Sequence, residues 1–121
     1  MKKIGWLIIA ILLLLAACGT EKGYVTVDID EVQQLQDDGA IVLDVREVDE
    51  FAEGHIIGAI NAPLSELKNG ERSVLDEKQS YIVICRSGSR SIVASELLIK
   101  EGYDLVNVSE GMSSWTGEVE Y

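Results

Sequence analysis

Cys85, Arg86, Ser87, Gly88, Ser89, Arg90 and Ser91 lie between the apolar stretch Tyr81-Ile82-Val83-Ile84 and a segment with helical periodicity. That order predicts a thiol at a strand-to-helix turn. There the first amides of the helix have no partner within it, and the helix dipole favours negative charge. A cysteine so placed is a candidate nucleophile, because the thiolate is the reactive form and such a turn stabilises it. Arg86 and Arg90 add two fixed positive charges for an anionic reactant, Gly88 permits tight curvature, and Ser87, Ser89 and Ser91 offer hydroxyl donors. Neighbours of these types argue for an open thiol rather than a core cysteine.

The 121 residues include two cysteines, Cys18 and Cys85, and one histidine, His55. Met1-Lys2-Lys3 precedes an uncharged Leu- and Ile-rich stretch from Ile4 to Ala17. This reads as a signal segment, since a spanning helix needs about 20 apolar residues. It closes on Leu15-Ala16-Ala17-Cys18-Gly19, which resembles the lipobox of bacterial lipoproteins. The resemblance implies a signal peptide over 1–17 and cleavage before a Cys18 that carries acyl chains, palmitate among them. It places the protein in the cell envelope, lipid-anchored to the outer face of a bacterial membrane or facing the periplasm. Residues 18–23 then form the lipidated N-terminus and a polar tether of at most roughly 17 Å. Residues 24–121 suffice for one domain with one core.

With Cys18 acylated, Cys85 has no partner for an intramolecular disulfide. One thiol and one imidazole do not make a usual zinc ligand set, so neither a metal nor another cofactor is expected. The formal net charge of -11 excludes a nucleic-acid-binding surface and flat adsorption on anionic lipid, leaving the N-terminal lipid as the membrane attachment. A monomer is expected.

The positioning elements alternate between strand-like and helix-like, the pattern of a parallel α/β sheet. Tyr24 to Val27 reads as a short strand; Asp28 with Glu31 forms a capping box for a helix that Gly39 closes. Ala40 to Val45 is a strand covered on both faces. Glu47 to Glu53 reads as a short helix ended by Gly54, and a brief strand lies around Ala59 to Asn61. Ser65 is expected to cap one helical turn reaching Lys68, before an Asn69-Gly70 turn. Tyr81 to Ile84 is the central strand, Ser91 to Glu101 a helix ended by Gly102, Leu105 to Val108 a strand, and Gly111 to Trp115 a last short helix.

Asp44-Val45-Arg46, Glu50-Phe51, Gly54-His55-Ile56, Gly58-Ala59 and Asn61-Ala62-Pro63 resemble the upstream signature of rhodanese-type sulfurtransferases. The loop Cys85 to Ser91 is similar to their active-site loop, and Glu110-Gly111 with Trp115 resembles their closing motif. The resemblance covers nearly all of Tyr24 to Glu118. It implies a rhodanese-like fold: a five-stranded parallel sheet flanked by helices, with the cysteine loop at the carboxyl end of the central strand.

It also implies a double displacement. Cys85 takes the outer sulfur of thiosulfate or a persulfide and hands it from a Cys85 persulfide to a thiol or cyanide. Arg86, Arg90 and the amides from Arg86 to Ser91 would stabilise the anions in turn. Asp44 and Arg46 read as a supporting ion pair, with Glu47 or Glu50 as candidate partners, and His55 as an imidazole that satisfies backbone groups rather than a general base. Two rivals remain. A cysteine phosphatase or arsenate reductase is disfavoured, because those loops usually have five residues between Cys and Arg. Here Arg86, Ser87, Gly88 and Ser89 make four, and Ile84 stands where a histidine is usual. A non-catalytic, membrane-tethered binding or sensing module of the same fold is the other.

Overall fold

The computed structural model describes residues 23–121; Cys18, the signal segment and residues 19–22 lie outside the described residues. In chain order the elements are β1 (Val25–Val27), a 3-10 turn (Ile29–Glu31), α1 (Val32–Asp37), β2 (Ile41–Asp44), α2 (Val48–Ala52), β3 (His55–Ile56), β4 (Ile60–Asn61), α3 (Leu64–Lys68), β5 (Ser80–Ile84), α4 (Ser89–Lys100), β6 (Asp104–Val108), a second 3-10 turn (Met112–Ser114) and β7 (Val119–Glu120). Five strands form a parallel sheet in the order β1-β6-β5-β2-β4. This is the rhodanese fold, with helices on both faces.

Side-chain alternation along β5 divides the core. Tyr81, Val83 and Cys85 face Leu43, Val45, Leu64, Leu67, Ala94 and Leu98, so α3 and α4 cover that side. Ile82 and Ile84 face Val42, Ile29, Val32, Ile56 and Val108, under α1 and its 3-10 turn. A strand buried on both faces must be apolar throughout, as Tyr81 to Ile84 are. Each fully buried aliphatic side chain stabilises the fold by about 1.5–3 kcal/mol.

The chain leaves β2 for the β4 edge of the sheet and leaves β5 for β6 on the other side. The two connections diverge, opening a crevice beyond the carboxyl ends of β2 and β5. Asp44 to Arg46 lie at the end of β2 and Cys85 directly follows β5, so the two segments are neighbours at this switch point.

Three local features differ from the sequence reading. The helix expected to be capped by Ser65 begins at Leu64, because Pro63 sits extended ahead of it at φ -53, ψ 136 and the Leu64 amide is held by the Val45 carbonyl at 3.0 Å. Ser65 lies inside the helix and donates its hydroxyl to Glu47 Oε1 at 2.7 Å. Helix α4 starts at Ser89, since Gly88 at φ 104 completes the turn in one residue. An antiparallel pair was not expected: β3 joins β7 with His55 opposite Glu120 and Ile56 opposite Val119.

Candidate active site

Cys85 is the first residue beyond β5 and is buried, with 1% of its surface exposed. The expectation of an open thiol is therefore corrected: the inward alternation of β5 carries Cys85 into the face covered by α4. The exposed members of the loop are Arg86, Ser87 and Ser89, while Gly88 and Ser91 are buried with the thiol.

The backbone folds around the sulfur. The Gly88 amide donates to Cys85 Sγ at 3.2 Å. Burial pushes the thiol up, but the Ser91 hydroxyl and the amides of Ser91, Gly88 and Ser87 together outweigh it and hold Cys85 below the ordinary thiol value. Hydroxyl and amide dipoles, rather than the arginine charges, are the main stabilisers of the thiolate. The Ser91 hydroxyl also reaches the Gly88 carbonyl at 3.3 Å, so its single proton has two acceptors.

The segment after β6 clamps this loop from outside. Met112 N–H donates to the Cys85 carbonyl at 2.8 Å, and Ser113 donates to the Arg86 carbonyl through its amide at 3.0 Å and its hydroxyl at 2.8 Å. Gly111 permits the approach: a Cβ there would lie 2.2 Å from the Arg86 carbonyl carbon and oxygen. Gly88 is constrained likewise, since its φ is positive and a Cβ would meet the Ser109 carbonyl oxygen at 2.3 Å. Glu110 ties the clamp to the 3-10 turn before α1 by accepting the Ile29 amide at 3.0 Å.

The two loop arginines have different environments. Arg90 is half-buried and forms a bidentate pair with Glu50, Nη1 to Oε1 at 2.6 Å and Nη2 to Oε2 at 2.9 Å. The Arg86 side chain is 66% exposed, with Nη1 4.0 Å from Glu50 Oε2. Hydrogen bonding from Arg90 holds the Glu50 carboxyl down at about 2. Glu50 is the residue whose place here spacing alone did not reveal, because its partner lies 40 positions away on another helix.

Asp44 and Arg46 pair with each other rather than with Glu47 or Glu50. Arg46 Nε donates to Asp44 Oδ1 at 3.0 Å and Nη2 to Oδ2 at 2.8 Å, both residues being buried. Arg46 Nη2 also donates to the Gly54 carbonyl at 2.9 Å, which locks the turn after α2 against the end of β2. Leaving either partner alone in this setting costs about 3–5 kcal/mol, so the pair acts as a brace. His55 Nδ1 lies 2.8 Å from the Phe51 carbonyl, its ring stacks on Phe51 at 3.6 Å, and Nε2 lies 3.6 Å from Glu120. Every partner named is structural, and none belongs to the cysteine loop.

A cavity of about 280 Å³ opens beside the loop, lined by Arg46, Gly54, Arg86, Met112, Ser113 and Trp115 among others. A wider one of about 490 Å³ lies at the amino ends of β5 and β6, remote from Cys85. The smaller cavity meets the cysteine loop at Arg86 and at the clamp residues Met112 and Ser113.

The rhodanese-like domain profile matches residues 28–118. The putative sulfur carrier protein YrkF of Bacillus subtilis (strain 168) is 38% identical over 85 residues, which are 69% of this chain and 45% of that protein, so the chain spans less than half of that relative. The putative sulfurtransferase YtwF of the same organism is 38% identical over 82 residues, covering 68% of this chain and 79% of that protein. A rhodanese-related protein from Thermoplasma volcanium superposes with a TM-score of 0.73 at 34% identity, covering 80% of this chain and 98% of that one. The profile match takes in the crevice, the Cys85 loop and its clamp, and the chain belongs to the rhodanese-like domain family.

Proposed function

We propose that the chain is a sulfurtransferase in which Cys85 carries the sulfur in transit. The observation that carries this reading is the amide-lined cradle at Cys85, with the Gly88 N–H 3.2 Å from Sγ and a thiol held below its ordinary value. Family membership and relatives named as a sulfurtransferase and a sulfur carrier support it.

Cys85 attacks the outer sulfur of thiosulfate or a persulfide, the sulfur–sulfur bond of the donor breaks, and its electron pair leaves on sulfite or a thiolate. The persulfide formed occupies the space faced by the amides from Arg86 to Ser91, whose dipoles are fixed before the charge arrives. A thiol or cyanide then attacks the outer sulfur and regenerates the Cys85 thiolate. Asp44 and Arg46 brace the crevice and touch no reactant.

The pairing of Arg90 with Glu50 disfavours the phosphatase alternative, since that guanidinium is not free to clamp a phosphoryl group. The test is intact-mass spectrometry after exposure to thiosulfate or an organic persulfide. Gain of one sulfur atom, abolished in Cys85→Ala and discharged by thiol or cyanide, is expected; a wild-type chain that never gains sulfur returns the reading to a binding module. We further propose that the domain is lipid-anchored through Cys18 in the cell envelope, on the strength of Leu15-Ala16-Ala17-Cys18. Palmitate labelling in a bacterial host, lost in Cys18→Ser, tests that anchor.

A further inference from the structure

Two guanidiniums flank Cys85, yet the loop does not offer two free positive charges. Arg90 gives both Nη groups to Glu50, at 2.6 and 2.9 Å, and Arg86 approaches the same carboxylate at 4.0 Å. Glu50 is itself fixed, because its Oε1 accepts the Glu47 amide at 3.1 Å in the first turn of α2. With Arg90 as its main partner the carboxyl titrates at about 2 and is ionised at neutral pH. Glu47 adds a second negative group acting on Arg90, and its own carboxylate is held by the Ser65 hydroxyl at 2.7 Å. Two guanidiniums, one carboxylate and one thiolate leave the attack-ready loop neutral before Glu47 is counted. The whole chain, at -11, supplies no long-range attraction for an anion.

We propose that Glu50 sets the charge class of the sulfur donor: by holding Arg90 in a bidentate pair beside Cys85, it suits the site to a low-charge persulfide, R–S–SH, rather than to the thiosulfate dianion. The inference rests on the sulfur-transfer reading above. In the favoured step the Cys85 thiolate bonds to the terminal sulfur of R–S–SH, the donor's sulfur–sulfur bond breaks, and R–S⁻ departs with the electron pair, so one negative charge enters and one leaves. With thiosulfate the same step places a dianion and a thiolate together, and only Arg86 remains exposed to offset them. Glu50 touches no reacting atom; it is a positioning residue that acts through Arg90.

The experiment compares wild type, Glu50→Gln and Glu50→Asp, reading kcat/KM for sulfur loading from thiosulfate and from the persulfide of N-acetylcysteine amide, whose only ionisable group is the persulfide, across a KCl series. Wild type is expected to favour the persulfide, with thiosulfate loading flat or rising as KCl is added. Glu50→Gln releases Arg90 and is expected to move the thiosulfate-to-persulfide ratio toward thiosulfate by about tenfold at low salt, with thiosulfate loading now falling as KCl screens the freed charge. Glu50→Asp, which keeps the carboxylate, is expected to restore the wild-type ratio and salt response. A Glu50→Gln variant that slows both donors equally, or keeps the wild-type ratio and salt response, overturns the inference and leaves sulfur transfer standing. Failure of both donors to load wild-type Cys85 defeats the sulfur-transfer reading itself, and this inference with it.

Discussion

At the scale of single residues, Ser91 has more influence on Cys85 than either arginine. Its side chain is the largest contribution lowering the thiol, against a burial that pushes the thiol up, and its amide and those of Gly88 and Ser87 add to it. Removing the hydroxyl leaves burial less opposed. We therefore expect the pH midpoint of Cys85 alkylation by iodoacetamide to lie below that of an ordinary thiol in wild type and to move upward in Ser91→Ala, while the fold is retained. An unchanged midpoint would show that the amides alone set the thiolate. Little of this division of labour is legible in the sequence, where Ser87, Ser89 and Ser91 are equivalent candidates. What separates them is position: the helical phase of α4 turns Ser91 inward and leaves Ser89 exposed, while Ser87 lies exposed in the turn before the helix.

At the scale of elements, the site is a contact between two backbone segments from different strands. The cysteine loop after β5 and the turn after β6 meet at Gly111, where φ is -147, so the requirement for glycine is steric rather than conformational. Gly111→Ala must force the segments apart, because a Cβ at 2.2 Å from backbone atoms has no flexible neighbour to displace. The expected result is a folded protein of reduced stability, by about 1–3 kcal/mol, in which Cys85 alkylation and sulfur loading both fall steeply; thermal unfolding and the two rate assays check it. The elements themselves were mostly legible. The apolar run of β5 announced a central strand, and Asp28 with Glu31 announced the first turn, where the Asp28 amide donates to Glu31 at 3.1 Å. The β3–β7 pair escaped because it joins two short segments far apart in the chain, with no local pattern to link them, and the start of α3 escaped because Pro63 and the Val45 carbonyl, rather than a serine cap, fix it. Trp115 packs against the side of the core that holds Ile82 and Ile84, with Nε1 donating to the Glu118 carbonyl at 3.1 Å.

At the scale of the whole molecule, acid stability depends on ion pairs that a net charge of -11 sets against general repulsion. Glu50 titrates at about 2 when folded, against a usual 4.5, so its pair with Arg90 stabilises the fold fully above the unfolded value and is lost as the pH falls through the folded one. Glu101, lowered chiefly by its hydrogen bond with Arg72, acts in the same direction. Protonation of the other carboxylates relieves repulsion and acts oppositely, so the informative quantity is the difference between proteins. The urea midpoint of wild type is expected to exceed that of Glu50→Gln near neutrality and to converge on it between about pH 4.5 and pH 2; parallel curves over that range would remove the pair from the stability account. The clamp after β6 carries a last consequence. All peptide bonds of the loop are trans, and a trans peptide points its carbonyl and its amide hydrogen in opposite directions. Because the Cys85 and Arg86 carbonyls are both drawn outward by Met112 and Ser113, the amide hydrogens of Arg86 and Ser87 are turned inward by the same bonds. The turn thus works as an alignment rail for peptide planes, holding the loop polarised toward sulfur whether or not sulfur is there.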